Sequence, residues 1–261
     1  METTKSADGT IIAYDHAGDG PALIVAVGAF CTRKTFVPPD ELKQHFSVYT
    51  YDRRGRGDST DTEPFSAERE YEDLAAVAAA SSASSEPPFV FGHSSGAAIA
   101  LRAAARGVPM QAIVAYEAPF PTSETPHPSV ADPASHIREL VRDGRRNDAV
   151  MFWMRDVVRA PAEMVARMEG APWVAGLEAL TPTLPYDIAV TDGGIPVAEL
   201  ATITVPVLVI GGTNSPGWFQ QSVAKQAAAI PGGRLTMVDG YGHDAPAQVI
   251  TPILVEFFRN G

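Results

Sequence analysis

The chain has 261 residues, 45% of them hydrophobic, with a formal net charge of −11 and a pI near 4.9. That length and apolar content suit one large domain with a buried core and an insertion, and the negative field opposes nucleic acid or an anionic membrane as the main partner. The single cysteine, Cys31, excludes an internal disulfide and a cysteine-based metal site; with no signal-peptide pattern and no apolar run near the ~20 residues of a membrane span, a cytoplasmic protein is expected.

Residues 10–14 and 22–27 read as strands. The second, Ala22-Leu23-Ile24-Val25-Ala26-Val27, is apolar without alternation, as in a parallel strand covered on both faces. It ends in Gly28-Ala29-Phe30-Cys31, a loop at the carboxyl edge of the sheet, where open α/β sheets bind ligands. Residues 46–51 form the next strand and run into Asp52-Arg53-Arg54-Gly55-Arg56-Gly57-Asp58-Ser59. This glycine-rich loop is read as sheet-to-helix geometry, and its Arg56-Gly57-Asp58 triplet is given little weight as an adhesion tripeptide. A helix is expected over 66–80, with Tyr71, Leu74 and Val77 at apolar positions and Glu68, Glu70, Glu72 and Asp73 near its amino end, where they suit the helix dipole. Residues 81–88 form a serine- and proline-rich connector.

The sharpest stretch follows. Phe89-Val90-Phe91 reads as the end of a buried strand, Gly92-His93-Ser94-Ser95-Gly96 as a G-x-S-x-G turn, and the alanine-rich run from Ala97 to Ala105 as a closely packed helix. A strand, a strained turn and a helix make a nucleophile elbow, with Ser94 at its tip and Gly92 and Gly96 removing side chains that would collide there. Residues 111–116 are a further strand that ends at Glu117.

From 121 to 200 the pattern changes to prolines, arginines and helical stretches at 135–146, 148–159 and 161–168, which reads as an insertion between core segments 1–120 and 201–261. Phe152, Trp153, Met154, Met164, Met168 and Trp173 are each most simply packing residues; together they suit a lid over the elbow. Strand 205–210 then leads to the loop 211–216, a helix over 219–230 and a last strand over 234–238. That strand runs into Asp239-Gly240-Tyr241-Gly242-His243-Asp244, and a terminal helix carries Ile250, Ile253, Leu254, Phe257 and Phe258 on one face.

Strands alternating with helices give an α/β fold, a mostly parallel sheet covered on both faces. Ala29, Ser94, Glu117 and His243 each follow an apolar strand, so all four can meet at one sheet edge. These residues resemble the α/β-hydrolase superfamily along nearly the whole chain, through the elbow, the loop 52–59, Gly240-Tyr241-Gly242-His243 and the helical insertion. The resemblance implies an eight-stranded sheet, a cap made by the insertion, and a serine hydrolase triad in the order nucleophile, acid, histidine.

Two departures shape the site. In most members the acid follows the penultimate strand, but here no Asp or Glu occurs anywhere from 201 to 238. Some members carry it at the end of the strand after the elbow helix, where Glu117 stands; Asn214 is the next rival as a neutral orienter, and Asp239 and Asp244 lie too near His243 in sequence to be first choices. Where the family often has His-Gly in its oxyanion loop, this chain has Val27-Gly28-Ala29, so the backbone N–H groups of Ala29 and Ser95 are the expected donors, with Phe30 as the alternative to Ala29. His243 is preferred as base over His16, His45, His93, His127 and His136 because it follows the last strand.

The expectation is a cofactor-free serine hydrolase that cleaves an ester, thioester or lactone of a small, partly apolar molecule through an acyl-enzyme, with Phe30, Trp153 and Trp218 as substrate-binding candidates. The alternatives are C–C bond hydrolysis, perhydrolysis or a lyase reaction by the same triad, or a non-catalytic receptor for a small molecule.

Overall fold

The computed structural model describes residues 1–81 and 86–260, so residues 82–85 of the expected 81–88 connector lie outside the described residues. The chain divides into two compact units: Met1–Thr125 with Val190–Gly261, and Pro126–Ala189.

The first unit holds one eight-stranded sheet, β1 (Glu2–Lys5), β2 (Ile11–Ala17), β3 (Ala22–Ala26), β4 (Ser47–Tyr51), β5 (Phe89–His93), β6 (Ile113–Tyr116), β7 (Val207–Gly212) and β8 (Arg234–Val238), in the order β1-β2-β4-β3-β5-β6-β7-β8. β1 and β2 are antiparallel and β4 onward runs parallel. β1, Glu-Thr-Thr-Lys, is an exposed polar edge strand with no apolar period to announce it. The uniformly buried β3 and β7 carry the unbroken apolar runs of strands covered on both faces.

Successive side chains of each strand divide between two cores. Ile24, Val90, Ile113 and Val209 pack with Tyr71, Leu74 and Val77 of α2 (Ala67–Ser81), with the alanines of α3 (Ser95–Ala105) and with Val223 of α10 (Gly217–Ala229). Leu23, Val25, Phe91, Val114 and Leu208 pack with Leu42 of α1 (Asp40–His45) and with Ile250, Leu254, Phe257 and Phe258 of α11 (Ala247–Asn260). Along α11 these residues repeat at the spacing of one helical face, which is why the stripe was legible before the fold was.

The second unit is helical: α4 (Pro133–Arg142), α5 (Arg146–Phe152), α6 (Ala162–Met168), α7 (Val174–Glu178) and most of α8 (Leu184–Thr191), which ends in the first unit ahead of α9 (Val197–Leu200). Asp132 caps α4 by accepting from the Ser135 N–H at 2.9 Å, and Pro133 opens it without wasting an N–H donor. The helix expected over 148–159 starts earlier and loosens at Trp153 into a π-helical turn, Trp153–Val157. Ile137, Leu140, Val150 and Phe152 are buried, and the Phe152 ring meets His136 edge-on at 4.6 Å. No helix among the described residues is long and apolar enough to cross a membrane.

Candidate active site

The elbow is held together by close approach. A Cβ on Gly92 would lie 2.5 Å from the Ala97 Cα, and one on Gly96 would lie 2.1 Å from the Ala26 carbonyl oxygen, so only glycine lets α3 sit this tightly on β5 and β3. Ser94 stands between them at φ 58° and ψ −129°, a backbone region that costs energy for any residue with a side chain. Its N–H donates to the Tyr116 carbonyl at 2.9 Å, and its own carbonyl accepts from Ala97 at the start of α3. The hydroxyl makes no side-chain cap for the helix behind it.

Among the described residues four non-glycine positions have positive φ, namely Phe30, Ser94, Glu117 and Arg159. Three of them are the oxyanion-loop alternative, the expected nucleophile and the expected acid, so local strain gathers where chemistry was expected.

The Glu117 carboxylate is buried and accepts three hydrogen bonds: from His243 Nδ1 at 2.8 Å, from the Ser215 hydroxyl at 2.5 Å and from the Gly212 N–H at 2.9 Å. Burial opposes its ionisation, but the bonds from His243, Ser215 and Gly212 outweigh it and hold the carboxyl below the usual glutamate range. A carboxylate on Nδ1 fixes that nitrogen as the donor and leaves Nε2 as the acceptor. The loop after β7, which lacks a carboxylate of its own, thus supplies donors to the acid carried by the neighbouring strand. Asn214 is exposed and donates to the Gly240 carbonyl at 2.7 Å, and Asp239 accepts from Thr213 at 3.2 Å; neither is engaged with His243.

His243 is held by its backbone as well as its ring. The Tyr116 hydroxyl donates to the Gly242 carbonyl and accepts from the Ala245 N–H at 3.2 Å, so it brackets the histidine. Its neighbour in register across β5 and β6 is His93, whose Nε2 lies 2.9 Å from the His243 carbonyl, which can only accept. The His93 ring centroid is 4.6 Å from that of His243 and 5.0 Å from that of Tyr116. Burial, with the adjacent His243, pushes the His93 pKa down to about 4. A cavity of ≈ 240 Å³ adjoins the three rings and is otherwise mainly apolar, with Val25, Phe91 and Leu254 in its wall.

Gly28 brings the β3 loop against the nucleophile: a Cβ there would lie 2.7 Å from the Ser94 Cβ and 3.1 Å from its Oγ. The next N–H, that of Ala29, has no hydrogen-bond partner among the described residues. Ser95 is the first residue of α3, where the helix itself provides no acceptor for an N–H, and its hydroxyl accepts from Arg53 at 3.1 Å.

Of the substrate-binding candidates, Phe30 is half-buried on the β3 loop, and the half-buried Trp218 stacks on Phe219 at 5.0 Å. Phe219, which the sequence reading passed over, is 5.7 Å from the His243 ring. Its sequence signal was only that of one more apolar residue on a helix. Trp153 is buried in the second unit. Among the described residues no group of three or more His, Cys, Asp or Glu is arranged to hold a metal ion.

Glu70, in the first turn of α2 where it suits the helix dipole, and Asp73, beyond that turn, are both buried and paired with Arg53 and Arg54 at 2.7 Å each, since a buried guanidinium demands a carboxylate. Arg56 is 1% exposed, so the Arg56-Gly57-Asp58 triplet offers no adhesion surface.

Comparison with known proteins is consistent with this geometry. A family model described as "Alpha/beta hydrolase family" matches residues 23–250. An alpha/beta hydrolase from Sphaerobacter thermophilus DSM 20745 is 41% identical with a TM-score of 0.91, over 98% of this chain and 100% of that one. An enol-lactonase from Burkholderia xenovorans LB400 superposes with a TM-score of 0.75 at 20% identity, covering 99% and 100%. An esterase from Rhodococcus sp. ECU1013 does so with a TM-score of 0.68 at 20% identity, covering 99% and 96%.

Proposed function

We propose that this chain, which belongs to the alpha/beta hydrolase family, is a serine hydrolase that cleaves a carboxylic ester, thioester or lactone of a small, partly apolar molecule through an acyl-enzyme. The observation that carries the reading is the hydrogen bond of Glu117 to His243 Nδ1 at the sheet edge that also bears the strained Ser94. Fold relatives described as an enol-lactonase and an esterase support the substrate class.

In this reading Ser94 Oγ attacks the carbonyl carbon and passes its proton to His243 Nε2. The negative charge that develops on the carbonyl oxygen is received by the N–H groups of Ala29 and Ser95, each contributing about 10²- to 10³-fold in rate when well placed. As the tetrahedral adduct collapses, the leaving oxygen or sulfur takes the proton from His243. Water then attacks the acyl-enzyme as His243 accepts its proton, and when the second tetrahedral adduct collapses His243 returns that proton to Ser94 Oγ and the acid is released. Glu117 stays ionised and compensates the imidazolium in each half-reaction. Phe30 and Trp218, both half-buried on the first unit, are the proposed substrate contacts.

A fluorophosphonate probe followed by mass mapping, beside a panel of chromogenic esters and lactones of graded acyl length, tests the reading. A single adduct on Ser94 together with turnover of one substrate group is expected. No adduct in the native protein would sink the acyl-enzyme mechanism in favour of a binding role.

A further inference from the structure

Four arginines of the first unit, Arg33, Arg53, Arg54 and Arg56, are buried. A buried guanidinium is costly unless it is fully bonded, so each position asks for a reason. Two have a structural one. Arg33 joins Asp15 at 2.8 Å, Asp58 at 2.6 Å and Asp52, which ties the β3 loop to the loop after β4. Arg54 makes a two-pronged pair with Asp73 at 2.7 and 2.8 Å and reaches Asp8 at 2.9 Å.

The other two touch the residues that would hold an oxyanion. Arg56 Nη1 donates to the Gly28 carbonyl at 2.7 Å and to the Cys31 carbonyl at 3.5 Å. The Gly28 carbonyl and the Ala29 N–H belong to one planar peptide, in which they point in opposite directions. Fastening the carbonyl on one side therefore aims the N–H to the other, and the same peptide lies against Ser94 by the close approach of Gly28. A cation on the carbonyl also polarises the peptide and makes its N–H a stronger donor. Arg53 does the equivalent for the second donor. Its Nε and Nη2 engage Glu70, and Nη1 donates to the Ser95 hydroxyl at 3.1 Å, which fixes the first residue of α3.

We infer that Arg56 and Arg53 are positioning residues for the oxyanion hole, Arg56 through the Gly28 carbonyl, which shares a peptide with the Ala29 N–H, and Arg53 through the Ser95 hydroxyl. The inference rests on the serine hydrolase reading. It gives Arg53 and Arg56 a role in rate as well as in folding.

The test compares Arg56→Lys and Arg56→Met with Arg54→Lys, a change in the same loop at a side chain bonded to neither donor. Fluorophosphonate labelling run to completion counts competent sites, and kcat and KM for a chromogenic ester are expressed per labelled site. The Ki of an aryl trifluoromethyl ketone, which adds to the serine to form a tetrahedral oxyanion, is measured alongside. Arg56→Met is expected to lose about 10²-fold in kcat per site with KM within about threefold, and to weaken the ketone by a similar factor. Lysine keeps the charge but not the fork, so Arg56→Lys is expected to fall about tenfold, while Arg54→Lys stays within about threefold on both readouts.

If Arg56→Met does not fold, the two lysine variants decide the matter. Equal effects of Arg56→Lys and Arg54→Lys on kcat and on ketone affinity, or an Arg56→Met enzyme within threefold of the parent per site, would overturn the inference. A parent protein that takes no label removes the serine hydrolase reading and this inference with it, whereas a labelled parent with an insensitive Arg56 removes this inference alone.

Discussion

Replacing Glu117 with Gln keeps its shape and removes its charge, so the change isolates what the carboxylate does. The amide oxygen can still accept from the Gly212 N–H and the Ser215 hydroxyl, which now bond Oε1. The amide NH₂ on the other side cannot accept from His243 Nδ1, where Oε2 stands at 2.8 Å. Nδ1 must then become the acceptor for the amide and the proton move to Nε2, the wrong tautomer for the proposed base. Loss of tautomer control together with loss of the charge facing the imidazolium costs about 10⁴-fold in a serine triad, or about 5.4 kcal/mol of barrier. Stability should suffer far less. One charge-assisted bond is lost and two are weakened, about 2 kcal/mol in all, which for a chain of this length is a Tm drop of about 4–8 °C. Single-turnover ester hydrolysis, normalised to labelled sites and run beside Asn214→Ala, checks the reasoning. Asn214→Ala should stay within a few-fold, since among the described residues that side chain bonds only Gly240. Equal and small losses in the two variants would refute Glu117 as the acid.

Two further outcomes follow from the same geometry. Gly28→Ala places a methyl 2.7 Å from the Ser94 Cβ, so the nucleophile or the β3 loop must shift; ester turnover should drop by at least about 10²-fold while circular dichroism keeps the native spectrum, and a fully active Gly28→Ala enzyme would contradict the close approach. His93 titrates near 4 in the fold against 6.5 for an ordinary histidine, so above pH 6.5 it is neutral in both states and contributes no pH dependence. As pH falls from 6.5 to about 4 the unfolded chain takes up a proton that the folded one refuses, and stability is lost through that window, by about 3 kcal/mol at most. Urea midpoints at pH 7 and 4.5 should therefore fall further for the parent than for His93→Gln, and parallel losses would exclude His93 as the source.

The residues proposed as oxyanion donors, nucleophile and base are legible in the sequence because each sits where a local pattern changes. Gly92 and Gly96 flank a serine between a β-branched, aromatic strand and an alanine helix, and that juxtaposition needs no knowledge of distant residues. Of the eight strands, seven are legible in the sequence and β1 is not. β1 has four polar or charged residues on an open edge and owes its conformation to pairing with β2. The short α1 buries a single leucine and has no stripe for periodicity to detect.

What the sequence determined by itself was the sheet-and-helix alternation, the elbow, and the lack of any carboxylate between 201 and 238. These are properties of neighbouring residues, whose side chains declare which face is covered. Tertiary structure alone decided which groups meet. It gave the Glu117 carboxylate, whose approach to His243 the sequence anticipated, its further donors in Ser215 and Gly212, made Glu70 and Asp73 counter-ions for buried arginines, and placed Tyr116 and His93 in register so that both grip the His243 loop. The physical reason is that pairing depends on register and on the cost of burying charge, and both are fixed only when strands far apart in sequence lie side by side.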